Sequence, residues 1–171
     1  SPPVLILGNS NARQMANLLS KHELNAQSYC YPGGTLDYIK SRLPHTVGGE
    51  NPSHVVIMAG DIEAANGLHS DDINAKLQSL VRETQRVYPW SRIILVGITA
   101  AGNLKRCTTI RSVNALMHHI ATNQRLIHYV PNSHSKLSDN IHLTLNSKVN
   151  LCKSIATAIT HPRHKINPKF R

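Results

Sequence analysis

The stretch Leu5-Ile6-Leu7-Gly8-Asn9-Ser10-Asn11-Ala12-Arg13 decides the fold. Val4 to Leu7 is an unbroken apolar run, the pattern of a short strand buried on both faces, and Gly8 ends it. Beyond it Met15, Leu18 and Leu19 recur at helical spacing, which predicts a helix over Ala12 to Lys21 with the Ser10 and Asn11 side chains available as caps. A strand, a tight turn carrying a serine and a helix therefore follow one another. A serine in that place presents its hydroxyl at the top of a sheet, and its backbone N–H, at a helix N-terminus, is free to stabilise an oxyanion. Taken alone, Ser10 reads more simply as a helix cap.

The alternation continues along the chain. Ala26 to Tyr31 is extended and stops at Pro32, Gly33 and Gly34, after which Leu36, Ile39 and Leu43 mark a helix that Pro44 closes. His45 to Ser53 reads as a loop, and His54 to Ala59 as a buried strand ended by Gly60. A helix from about Asp71 to Val87 carries Asp71 and Asp72 in its first turn, where carboxylates oppose the dipole favourably. Arg92 to Gly97 and Leu126 to Val130 are strands. Thr108 to Thr122 and Thr144 to Thr160 are helices, the last ended by Pro162. Strands alternating with helices predict a three-layer α/β/α domain of flavodoxin-like type, with a central parallel sheet and ligands beyond the carboxyl ends of its strands. The domain is expected over residues 1–161, with a basic tail over 162–171.

The first stretch resembles the opening block of the SGNH, or GDSL-like, hydrolases, in which a strand ends in Gly-Asp-Ser. Ser138-Asp139-Asn140-Ile141-His142-Leu143-Thr144 resembles that family's final block, an Asp and a His three residues apart just before the last helix. The resemblance implies that Ser10 is a nucleophile, His142 its general base and Asp139 the group that orients the imidazole. It further implies hydrolysis of a small acyl ester through an acyl-enzyme, with no metal or organic cofactor. Tyr31-Pro32-Gly33-Gly34-Thr35 looks like the second block, whose glycine N–H points into the oxyanion hole; Gly33 matches best and Gly34 is its neighbour. From the glycines alone a plain turn is an equal reading.

Two departures bear on activity. Asn9 stands where Asp is usual, and in Gly60-Asp61-Ile62-Glu63 the family's Asn is replaced by Ile62. That Asn is an oxyanion donor, and losing one such donor costs about 100-fold to 1,000-fold in rate. Asn66 is a substitute if its loop bends back. The chain is similar to two branches in particular: esterase domains of some animal retroelement proteins, and the OSK domain of the germ-plasm protein Oskar, which uses a basic surface to bind RNA.

Charge supports the second of these as an alternative. Nineteen Lys and Arg against nine Asp and Glu give a net charge of +10, which attracts polyanions, RNA first among them. Lys105, Arg106 and Arg111 form one basic group; Arg163, Lys165, Lys169 and Arg171 form another in the tail. Both groups also read as plain solvated surface. With one Phe, one Trp and five Tyr, backbone contacts are expected to outweigh base reading. The three cysteines, Cys30, Cys107 and Cys152, show neither a CxxC nor zinc spacing, so no disulfide framework or metal site is expected, and a reducing, cytoplasmic compartment fits. No apolar run is long enough to span a bilayer. The first strand starts too near Ser1 to leave room for a signal sequence, and the stretch reads as a domain excised from a longer chain.

Overall fold

The computed structural model describes residues 3–43, 51–100, 103–132, 135–139 and 142–162. Short runs of apolar residues become the strands β1 (Val4–Gly8), β2 (Ala26–Cys30), β3 (His54–Met58), β4 (Arg92–Val96) and β5 (Ile127–Val130). They pair in the order β2-β1-β3-β4-β5, every pair parallel. Parallel neighbours require crossovers, and helices supply them.

The helices are α1 (Met15–Ser20), α2 (Leu36–Arg42), α3 (Asp61–Ala65), α4 (Ser70–Val87), α5 (Leu104–Asn123) and α6 (Leu145–Thr160). Strand side chains alternate between faces. Val4, Ile6, Val56 and Ile94 pack on one face against Met15 and Leu19 of α1 and Leu151 and Ile155 of α6. Leu5, Leu7, Val55, Ile57 and Leu95 pack on the other against α2, α4 and α5. This is the expected three-layer α/β/α architecture.

Three local differences from the sequence reading have physical causes. The helix expected from Ala12 is interrupted: Ser10–Ala12 form a single 3₁₀ turn, Arg13 is extended, Gln14 takes a left-handed φ of 69°, and α1 starts at Met15. The cap comes from neither Ser10 nor Asn11 but from Asn9, whose side chain accepts from the Asn11 N–H. Helix α3 was not expected, because five residues are too few to show a helical period. Helix α5 begins four residues early, since the Asn103 side chain caps it by accepting from the Arg106 N–H.

Gly8 is required by packing. A Cβ there would stand 2.5 Å from the Met58 carbonyl oxygen, so only glycine lets β1 approach β3 this closely where the chain turns toward Ser10.

Candidate active site

Ser10 opens the 3₁₀ turn just beyond the carboxyl end of β1. Among the described residues its hydroxyl makes no hydrogen bond. Because Asn9 performs the capping, the simpler role for Ser10, a cap, is already filled.

The far end of the chain is brought to this turn through Asn11. Its Oδ1 accepts from the Leu143 N–H at 2.9 Å, although the two residues are 132 apart in sequence. Leu143 follows His142 directly, so the bond ties the histidine's loop to the serine's turn. Within that loop His142 Nδ1 lies 2.7 Å from Asp139 Oδ2, and the His142 N–H donates to Asp139 Oδ1 at 2.8 Å. An ionised carboxylate can only accept, so Nδ1 is the donor in this contact, and in the neutral imidazole Nε2 is then the acceptor nitrogen. The two side chains are 48% and 55% exposed, so the contact adds little stability and its effect is to orient the ring. No hydrogen bond joins the Ser10 hydroxyl to His142; catalytic hydrogen bonds are often long until substrate binds.

Gly33 and Gly34 separate cleanly. The Tyr31 N–H donates to the Gly8 carbonyl at 2.9 Å, which places the turn after β2 beside the end of β1. Gly34 donates to the Tyr31 carbonyl at 2.7 Å and closes a turn with Pro32 second and Gly33, at φ 69°, third, the pattern of a type II turn. The Gly34 N–H is therefore occupied, whereas the Gly33 N–H has no partner among the described residues. Asn66 is not tied to these groups: it is exposed at the far end of α3, with its N–H on the Ile62 carbonyl.

Two carboxylates that sequence reasoning did not assign lie beneath the site. Asp61 accepts from both the Asn9 and the Asn11 side-chain amides. Burial pushes its carboxyl above the usual range, and those amide bonds pull it back. Glu63 is 3% exposed; one oxygen accepts from the Leu36 N–H at 2.6 Å and the other has no partner among the described residues. Burial raises its pKa as well. Asn9 beside Asp61 is the signal that could have revealed the first of these, since an amide in the usual Asp position calls for an acceptor elsewhere.

A small pocket lies beyond the carboxyl ends of β3 and β4. Met58, Val96, Ile98 and Leu143 line it, with Asn11, Asp61 and Arg106 as polar members. Arg106 is thus half-buried in this pocket, whereas Lys105 and Arg111 are exposed on α5. The tail cations Arg163, Lys165, Lys169 and Arg171 lie outside the described residues. Among the described residues no group of three His, Cys, Asp or Glu could hold a metal ion, and no helix is long and apolar enough to cross a membrane.

No protein-family model matches the chain, and no curated protein matches it. Solved structures do. An acetyl esterase variant solved with an acetate ion aligns over 93% of this chain and 96% of its own, with a TM-score of 0.78 and 12% identity. A GDSL-like lipase from Bacteroides thetaiotaomicron aligns over 92% and 87%, with a TM-score of 0.76 and 18% identity. A family 3 carbohydrate esterase from Talaromyces cellulolyticus aligns over 93% and 96%, at 0.74 and 13%. At these identities the likeness is one of fold, and the fold is that of the SGNH and GDSL-like hydrolases.

Proposed function

We propose that the chain is a serine esterase that cleaves a small acyl ester. The observation that carries this reading is the His142 imidazole, held through Nδ1 by Asp139 and tied through Leu143 and Asn11 to the turn bearing Ser10, whose hydroxyl is unengaged among the described residues. In the first step Ser10 Oγ attacks the ester carbonyl carbon while His142 Nε2 takes its proton. The imidazolium, stabilised by Asp139, then protonates the departing alcohol and leaves an acyl-Ser10 ester. Water attacks that ester with His142 again as base, and the proton returns to Ser10 as the acid is released. The Ser10 and Gly33 amides receive the oxyanion, while Gly34 holds the turn that aims Gly33. With Ile62 where an amide donor is usual, turnover is slow. Hydrolysis of p-nitrophenyl acetate tests this reading: Ser10→Ala and His142→Ala abolish it, and a rate unchanged in Ser10→Ala overturns it. Among the described residues no disulfide joins Cys30, Cys107 or Cys152, which supports a reducing, cytoplasmic setting.

A second reading, an RNA-binding module on the same scaffold, is favoured by the start of α5, where Lys105 and Arg111 are exposed and no acid lies within the helix. Replacing both with Ala then weakens RNA binding and flattens its salt dependence. Binding that is unchanged refutes a role for this surface.

A further inference from the structure

Helix α3 holds two loops at once. It follows β3 closely and is five residues long, with Asp61 first and Glu63 third. Residues two apart on a helix project about 200° apart around its axis, so the two carboxylates leave on opposite sides. Asp61 reaches the turn that bears Ser10, where it accepts from the side-chain amides of Asn9 and Asn11. Glu63 reaches the other way, 27 residues back along the chain, and accepts from the Leu36 N–H at 2.6 Å.

Leu36 is the first residue of α2, where a backbone N–H has no partner inside its own helix. It is fully buried, so water cannot serve that N–H. Thr35, the cap, is engaged with the Tyr38 N–H, and Glu63 supplies the acceptor for Leu36. From Leu36 the constraint passes to the turn before it. The Gly34 N–H donates to the Tyr31 carbonyl, and the Tyr31 N–H donates to Gly8 at the end of β1. The arch over residues 31–36 is thus pinned at both feet, to β1 at one and to Glu63 at the other, with Gly33 between them. Glu63 makes this bond against its own burial. It is 3% exposed, and its second oxygen has no partner among the described residues. A carboxylate buried in that state is costly, and an apolar side chain of similar size would pack there without the penalty. What the carboxylate adds is a charge-assisted bond, stronger than a neutral one, at the foot of the arch.

We propose that Glu63 is a positioning residue for the oxyanion hole. Through Leu36 it fixes the arch, and α3, gripping the Ser10 turn with Asp61 and the arch with Glu63, sets the spacing between the Ser10 and Gly33 amides. The proposal rests on the esterase reading. Ile62, between the two carboxylates, stands where a side-chain donor is usual, so the hole depends on two backbone amides and an error in the aim of Gly33 is not compensated.

Glu63→Met fills nearly the same space and cannot accept from Leu36. With p-nitrophenyl acetate it lowers kcat about 10-fold to 100-fold and leaves KM nearly unchanged, because an oxyanion donor acts in the transition state. Glu63→Gln, whose amide oxygen still accepts from Leu36, keeps most of the rate. Amide hydrogen exchange supplies a readout that needs no catalysis. In Glu63→Met the Leu36 and Gly34 N–H groups exchange about tenfold or more faster, relative to core strand amides such as Val56 and Ile94, than they do in wild type. Glu63→Asp, shorter by one methylene, loosens the same two amides and replaces Glu63→Met should that variant not fold. A wild-type protein without esterase activity fails the esterase reading, and local loosening of Leu36 and Gly34 then still establishes that Glu63 holds the arch. Exchange at those amides that speeds up no more than at Val56, an unchanged kcat in Glu63→Met, or an equal loss in Glu63→Gln overturns the proposal.

Discussion

Replacing Asn11 with alanine removes the link between the two halves of the candidate site. The side chain accepts from the Leu143 N–H at 2.9 Å and donates to Asp61 Oδ2 at 3.1 Å. Leu143 is 8% exposed, so its N–H is left buried without an acceptor, which costs about 1–3 kcal/mol. The Asp61 carboxylate keeps Asn9 but loses its second amide donor, a charge-assisted bond worth about 1.5–3 kcal/mol. Water entering the gap recovers part of both, so the net loss is about 3 kcal/mol. The bond capping the 3₁₀ turn survives, because it is the Asn11 backbone N–H that donates to Asn9 Oδ1. The damage is therefore to the position of His142, and a displacement near 1 Å costs about 100-fold in rate. Urea unfolding followed by circular dichroism reads the first number. Ester hydrolysis per folded molecule reads the second. A stability loss below about 1 kcal/mol, or full activity in the folded fraction, refutes the claim that Asn11 couples the two loops.

His54 gives the acid side of the stability profile a defined slope. Burial, with Arg92 and His128 nearby, lowers its pKa from 6.5 to about 4. The unfolded chain therefore binds the proton first, and the stability contributed is complete above pH 6.5 and lost as pH falls toward 4. The full shift corresponds to about 3 kcal/mol, reduced to about 1–2 kcal/mol by the ring's partial exposure; His54→Gln removes that loss, as unfolding at pH 7 and pH 4 measures. Glu63 acts in the opposite sense: its raised pKa makes its contribution greatest below the usual carboxylate range and lost as pH rises through the folded value. Glu63→Gln should therefore gain on wild type as pH rises, and a difference independent of pH refutes this. Gly8→Ala forces a Cβ against the Met58 carbonyl at 2.5 Å and lowers stability by about 2–3 kcal/mol in the same urea assay; a neutral result means that β1 and β3 can part without cost.

How far the sequence reached can be argued from single residues. Val4 to Leu7, His54 to Ala59 and Arg92 to Gly97 were legible because strands buried on both faces are written as apolar runs, and these form the centre of the parallel sheet. The turn at Ser10 was misread as the start of a continuous helix, because the spacing of Met15, Leu18 and Leu19 says nothing about where the first turn begins. That boundary depends on the Asn9 side chain and on the left-handed Gln14, neither of which is visible as a period. Asp61 and Asn11 were missed as partners because their contacts span 50 and 132 residues of chain. The choice between Gly33 and Gly34 needed the hydrogen bond from Gly34 to the Tyr31 carbonyl, which uses up one of the two amides.

The central claim is that Ser10 is an activated nucleophile, and a fluorophosphonate probe tests it most directly. The claim predicts one covalent adduct per chain, located at Ser10 by peptide mass spectrometry, lost in Ser10→Ala and strongly slowed in His142→Ala. An unlabelled wild-type protein, or an adduct that persists at another residue in Ser10→Ala, contradicts it.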